Sequence, residues 1–185
     1  VSITPSAFVG CTPTLIDFTN NTTGAVTYEW DFGDGKTSTL ANPNHTYLTA
    51  GCFDVTLSAY TSGGCVTTQV FQDLICTDLT PIASFIANPT TITTASPLSN
   101  MINTSLNSDT YTWDFGDGTG TSNAVNPAHT FPDDAITNYV VTLVATNISG
   151  CTDTARVIIE MVEDIVYYVP NVFTPDGNNI NNTFQ

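Results

Sequence analysis

Trp30-Asp31-Phe32-Gly33-Asp34-Gly35 and Trp113-Asp114-Phe115-Gly116-Asp117-Gly118 are the same six residues, met twice in one chain at an offset of 83. Reading outward, Asn42-Pro43-Asn44-His45-Thr46-Tyr47 returns at an offset of 84 as Asn126-Pro127-Ala128-His129-Thr130-Phe131. Val55-Thr56-Leu57-Ser58-Ala59 returns at 86 as Val141-Thr142-Leu143-Val144-Ala145, and Gly64-Cys65 returns at 86 as Gly150-Cys151. Blocks repeated in the same order define two copies of one fold. The offset is expected to drift only across loops, where insertions are tolerated. The copies are placed at residues 1–77 and 78–165, with Thr80-Pro81 opening the second and almost no linker between them.

Inside each copy the apolar period is two. In Tyr28-Glu29-Trp30-Asp31-Phe32 the aromatic residues fall on one face and the acids on the other, the pattern of a half-buried strand. Phe53, Val55, Leu57 and Ala59 alternate with Asp54, Thr56, Ser58 and Tyr60; Tyr139, Val141, Leu143 and Ala145 form the matching inward set. About seven short strands per copy, with a Trp on the third, predict an all-β chain of two tandem immunoglobulin-like sandwiches.

Composition narrows the partners. The chain has 185 residues, 41% of them hydrophobic, which is enough to fill two cores. Its 17 acidic residues face only Lys36 and Arg156, giving a net charge of −15. Two cations make no basic footprint, so nucleic acid and anionic membranes are poor partners, and no nucleic acid is expected. No run approaches the roughly 18 apolar residues that a membrane helix needs, so no transmembrane segment is expected. Residues 1–10 lack the basic start and apolar run of a signal peptide, and the chain is read as a segment of something longer.

The Trp-Asp-Phe-Gly-Asp-Gly block, the Asn-Pro-x-His-Thr-aromatic block and the Gly-x-(Phe/Tyr)-x-Val-Thr-Leu strand resemble PKD (polycystic kidney disease) domains across residues 1–165. That resemblance implies β-sandwich modules with non-catalytic roles: spacers and adhesive units of surface proteins, or accessory domains beside secreted hydrolases. The tail, 168–184, resembles the opening of the gliding-motility-associated C-terminal domain, a type IX secretion signal of Bacteroidetes. Its marks are Pro170-Asn171-Val172-Phe173-Thr174-Pro175 and Asp176-Gly177, with Asn182 where that family tends to carry Asp. Residues 166–185 are therefore read as a short extended segment that starts this domain. The resemblance implies export to the cell surface, type IX machinery and outer-membrane proteins of the PorP/SprF type as partners, and a role in gliding motility. An extracellular glycan or surface is a further expected partner. The rival reading is the accessory PKD region of a secreted multidomain hydrolase.

Candidate chemistry is sparse. Asp31, Asp34, Asp114 and Asp117 sit in matching positions, where Asp side chains cap backbone N–H groups and glycines take positive φ in a tight turn. Calcium ligation is the alternative for these four, and also for Asp176 in the tail. His45 and His129 are the only histidines, one per copy. No nucleophile elbow accompanies them and no zinc spacing is present, so each is read as a packing residue bonded to a nearby turn. No catalytic residue and no cofactor beyond calcium is assigned. Asn-x-Ser/Thr triplets at Asn20, Asn44 and Asn147 follow from composition. The stretch Ile165, Val166, Tyr167, Tyr168, Val169 and Phe173 could dock on another sheet edge, although the first strand of the next domain is the plainer reading.

Five cysteines in a secreted chain imply disulfides with one left over. In the sandwich, Cys52 at the start of one strand faces Cys76 at the end of its neighbour. Cys11 and Cys65 lie at opposite poles of repeat 1, separated by a strand on the order of 25 Å long, whereas a bridge requires Cα atoms within about 7 Å. Cys52–Cys76 is the first expectation. Stacking of the copies would bring Cys11 to Cys151 across the junction and leave Cys65 to meet an upstream repeat outside this sequence. The alternative is Cys11–Cys65 with Cys151 free.

Overall fold

The computed structural model describes residues 1–164, and its regular elements there are sixteen β-strands without a helix. Repeat 1 holds β1 (Ile3–Pro5), β2 (Val9–Thr12), β3 (Thr14–Asn20) and β4 (Thr27–Asp31). It continues with β5 (Thr37–Ser38), β6 (Asn44–Tyr47), β7 (Gly51–Tyr60) and β8 (Val66–Leu79). Repeat 2 follows the same plan: β9 (Phe85–Asn88), β10 (Thr91–Thr93), β11 (Leu98–Asn103) and β12 (Thr110–Asp114). Its second half is β13 (Thr121–Ser122), β14 (Ala128–Thr130), β15 (Asn138–Thr146) and β16 (Thr152–Val162).

Each repeat makes a three-stranded and a five-stranded sheet: β1-β3-β6 with β2-β8-β7-β4-β5, then β9-β11-β14 with β10-β16-β15-β12-β13. The inward residues of both sheets share one core. In repeat 1, Ile16, Phe18 and Tyr47 come from the small sheet and meet Trp30, Val55, Leu57 and Ile75 from the large one. Repeat 2 packs Phe85, Met101, Trp113, Leu143 and Ile159 in the same way. The two tryptophans are fully buried, so each indole N–H needs a partner inside. Trp30 donates to the Leu40 carbonyl (2.9 Å) and Trp113 to that of Ala124 (2.8 Å).

Two expectations change. Each repeat has eight strands rather than about seven, because the first strand is divided between sheets. Its first half pairs antiparallel in the small sheet; its second crosses over and pairs parallel in the large one, β2 with β8 and β10 with β16. Proline, which has no N–H to donate, ends the first half at Pro5 and follows it at Pro89. The offset between copies also shifts inside a strand. Phe53 pairs with Ile75 and Val55 with Phe71, whereas in repeat 2 Tyr139 pairs with Ile159 and Val141 with Val157. Repeat 1 thus carries two extra residues in β8. They bulge at Asp73, which takes φ 46° and donates its N–H to the Asp54 carboxylate (2.7 Å).

Candidate functional site

The repeated acidic turn is a clamp built from its own backbone. Asp31 Oδ1 accepts from the Gly33 N–H (2.9 Å) and Asp34 Oδ1 from the Lys36 N–H (3.1 Å). Asp114 and Asp117 repeat this with Gly116 (2.9 Å) and Thr119 (3.0 Å). The second carboxylate oxygen of Asp34 meets His45 Nε2 at 2.8 Å, and that of Asp117 meets His129 Nε2 at 2.6 Å. Each imidazole lies flat on a core ring: His45 on Phe32 at 4.3 Å, His129 on Phe115 at 3.8 Å. Tyr47 closes the cluster by donating to the Phe32 carbonyl (3.1 Å); burial, then the charges of Asp34 and Asp31, push its phenol well above the ordinary range.

The copies differ in one respect. The Asp117 side chain is 0% exposed, against 17% for Asp34. Burial pushes the Asp117 carboxyl up, but the His129 bond together with the Thr119 N–H and hydroxyl outweighs it and holds the carboxyl below its usual value. Among the described residues no serine, threonine or cysteine is bonded to either imidazole, and no three His, Cys, Asp or Glu side chains gather as a metal-holding group. Asp34 and Asp117 spend both carboxylate oxygens, one on the turn and the other on histidine. Asp176 and the docking stretch Ile165, Val166, Tyr167, Tyr168, Val169 and Phe173 lie outside the described residues.

A second constellation lies at the junction. Cys11 on β2 is bonded to Cys151 in the turn between β15 and β16, with Cα atoms 5.7 Å apart. Around it, the Asn147 amide donates to the Leu79 carbonyl (2.9 Å) and accepts from the Cys151 N–H (2.9 Å). The Ser149 hydroxyl donates to Asp78 Oδ2 (2.6 Å), and the Thr80 hydroxyl donates to the Thr12 carbonyl (2.6 Å). Ser149, followed by the Leu79 N–H, draws the Asp78 carboxyl below its ordinary range. Pro81 is buried, and the Ala83 N–H donates to Asp153 Oδ2 (2.8 Å). Cys52 and Cys76 are bonded as direct partners on β7 and β8, their Cα atoms 4.0 Å apart. Both disulfides line one cleft of about 560 Å³ together with Val9, Thr77 and Ser149. Cys65 is free and exposed.

The polar residues around these cysteines carry no motif that sequence reasoning finds. Asn147 stands in the sequence only as part of an Asn-x-Ser triplet; its side chain is buried at the junction. The available signal was departure from repetition. Repeat 2 has Asn147-Ile148-Ser149 where repeat 1 has Thr61-Ser62-Gly63 in an otherwise equivalent turn.

Two-sheet sandwiches with a divided first strand and a buried Trp define a tandem of immunoglobulin-like modules. The chain belongs to the PKD domain family: the family's model matches residues 10–74 and again 78–161. Solved structures of similar fold include the PKD1 domain of Vibrio anguillarum Epp, at 22% identity and a TM-score of 0.39, covering 46% of this chain and 96% of that one. The fibronectin(III)-like modules of Clostridium thermocellum CbhA are 13% identical over 91% of this chain and 100% of theirs, with a TM-score of 0.42. A Ca2+-stabilized adhesin with which an Antarctic bacterium binds ice is 13% identical over 89% of this chain, with a TM-score of 0.41. The match spans 49% of that solved chain. No helix among the described residues is long and apolar enough to cross a membrane.

Proposed function

We propose that this chain is a non-catalytic, load-bearing spacer within a secreted cell-surface protein, with the two PKD modules holding a fixed mutual orientation. The observation that carries the reading is the Cys11–Cys151 bridge with the polar contacts around it. A flexible Gly/Ser linker would leave two modules free to reorient. Here a short backbone path, a buried proline and a second covalent path cross the same junction, so a bending or twisting load on one module is passed to the next. The two disulfides support the extracellular setting, because such bonds persist in oxidising compartments.

In this reading residues 166–185 begin a type IX secretion signal domain that delivers the spacer to an outer-membrane partner of the PorP/SprF type, in a gliding or adhesive apparatus. The resemblance of residues 168–184 to such signals supports it. Labelling intact cells of the producing organism with an antibody to the two modules tests both layers. Surface signal that disappears in a type IX secretion mutant is expected. Intracellular retention in normal cells contradicts the spacer; surface signal persisting in the mutant contradicts the export route alone.

A further inference from the structure

Cys65 occupies in repeat 1 the place that Cys151 occupies in repeat 2. In repeat 2 the Asn147 N–H donates to the Cys151 carbonyl (3.0 Å), the Gly150 N–H to the Asn147 carbonyl (3.1 Å), and the Cys151 N–H to the Asn147 side chain (2.9 Å). In repeat 1 the Thr61 N–H donates to the Cys65 carbonyl (2.9 Å), the Gly64 N–H to the Thr61 carbonyl (3.0 Å), and the Cys65 N–H to the Thr61 hydroxyl (3.2 Å). Gly64 and Gly150 stand at φ 81° and 82°. The two turns therefore present their thiols alike. One is buried in a bridge to the β2 strand of the sandwich before it; the other faces solvent.

The entering chain is placed alike as well. Ser2 accepts from Asn21 and Ser84 from Thr104, each at 2.8 Å, so Val1 of repeat 1 corresponds to Ala83 of repeat 2. Ala83 is held by Asp153, two residues past Cys151. The way into repeat 1 thus runs beside Cys65, as the path from repeat 1 runs beside Cys151. The staple also has a direction. In the parallel ladders, Cys11 pairs with Asp78 on β8, and the corresponding end of β10 carries Thr93. Repeat 2 has no cysteine with which to pass the staple forward; repeat 1 has one with which to receive it.

We infer that Cys65 is the receiving half of a second inter-module staple, joined to a cysteine on the β2-like strand of a neighbouring sandwich module. Two thiols lose two protons and form the S–S bond; the two electrons reduce an external disulfide to two thiols, as in ordinary thiol–disulfide exchange. The inference uses the spacer reading only for the junction's geometry, and the surface labelling above fails or succeeds independently of it.

The test is peptide mapping of the full-length protein, exported by its own host, purified without reductant and alkylated before digestion. The 185-residue chain alone should take up label at Cys65, and the full-length protein should lose that label. Its Cys65 peptide should be bonded to a peptide carrying a cysteine in a β2-like segment of another sandwich. Cys65 carrying label, glutathione, or a bond to Cys65 of a second copy or to any other sulfur overturns the inference.

Discussion

Gly33 and Gly35 both take positive φ, but only Gly33 has backbone against it: a Cβ there would stand 2.5 Å from the Asp54 carbonyl oxygen. Gly116 repeats this against Val140 at 2.5 Å, while nothing lies within 4 Å of a Cβ at Gly35. Left-handed backbone alone costs an alanine about 1–2 kcal/mol. Gly35→Ala should therefore cost about 1 kcal/mol, and Gly33→Ala at least twice that, since β7 must also move. Thermal unfolding of the two variants checks this, and equal losses would contradict it. Asp117 gives a pH dependence. Its carboxyl is held low in the fold, so on acidification the unfolded chain takes up the proton first. The stability it contributes is fully present above about pH 4 and is lost as pH falls through the folded value. Asp117→Asn should lower the melting temperature at pH 7, and the gap from wild type should narrow in acid.

At the scale of elements, the bulge and the Cys52–Cys76 bridge both act on the β7–β8 pair, and neither has a counterpart in repeat 2. Asp54→Ala removes the acceptor that holds the Asp73 N–H and should cost roughly 0.5–1 kcal/mol of unfolding free energy, read from the denaturant midpoint and slope. Removing Cys52 and Cys76 together opens a loop with a sequence separation of 24. Chain entropy puts the loss at about 3.5 kcal/mol, confined to repeat 1. Unfolding followed separately through Trp30 and Trp113 would show whether the second repeat stays unchanged. These elements also mark what the sequence could say. The strands around Trp30 and Val141 were legible because each carries a period of two and occurs twice. The bulge was not, because Gln72 and Asp73 break no visible pattern; only the pairing partners reveal them as extra. The divided first strand was hidden for the same reason, since which sheet a short strand joins is settled by its neighbours. The Asp–His clamp was half legible: repetition marked the residues and turn chemistry gave the aspartates' role, but flat stacking on Phe32 and Phe115 is a matter of packing.

Over the whole molecule, charge and junction set the behaviour. A net charge of −15 with two cations leaves salt little attraction to weaken, so screening relieves mainly repulsion. Raising sodium chloride from about 10 to about 150 mM, which shortens the Debye length from roughly 30 to 8 Å, should raise the melting temperature; a fall would contradict the account. The junction is the larger matter, because a spacer resists bending and twisting only if its modules keep their mutual orientation. Residual dipolar couplings measured on both repeats of the oxidised chain test this directly. One alignment tensor should fit the couplings of repeat 1 and repeat 2 together, and the variant lacking Cys11 and Cys151 should loosen that agreement. Two tensors of different magnitude in the oxidised chain would mean that the modules reorient freely, and would contradict the account.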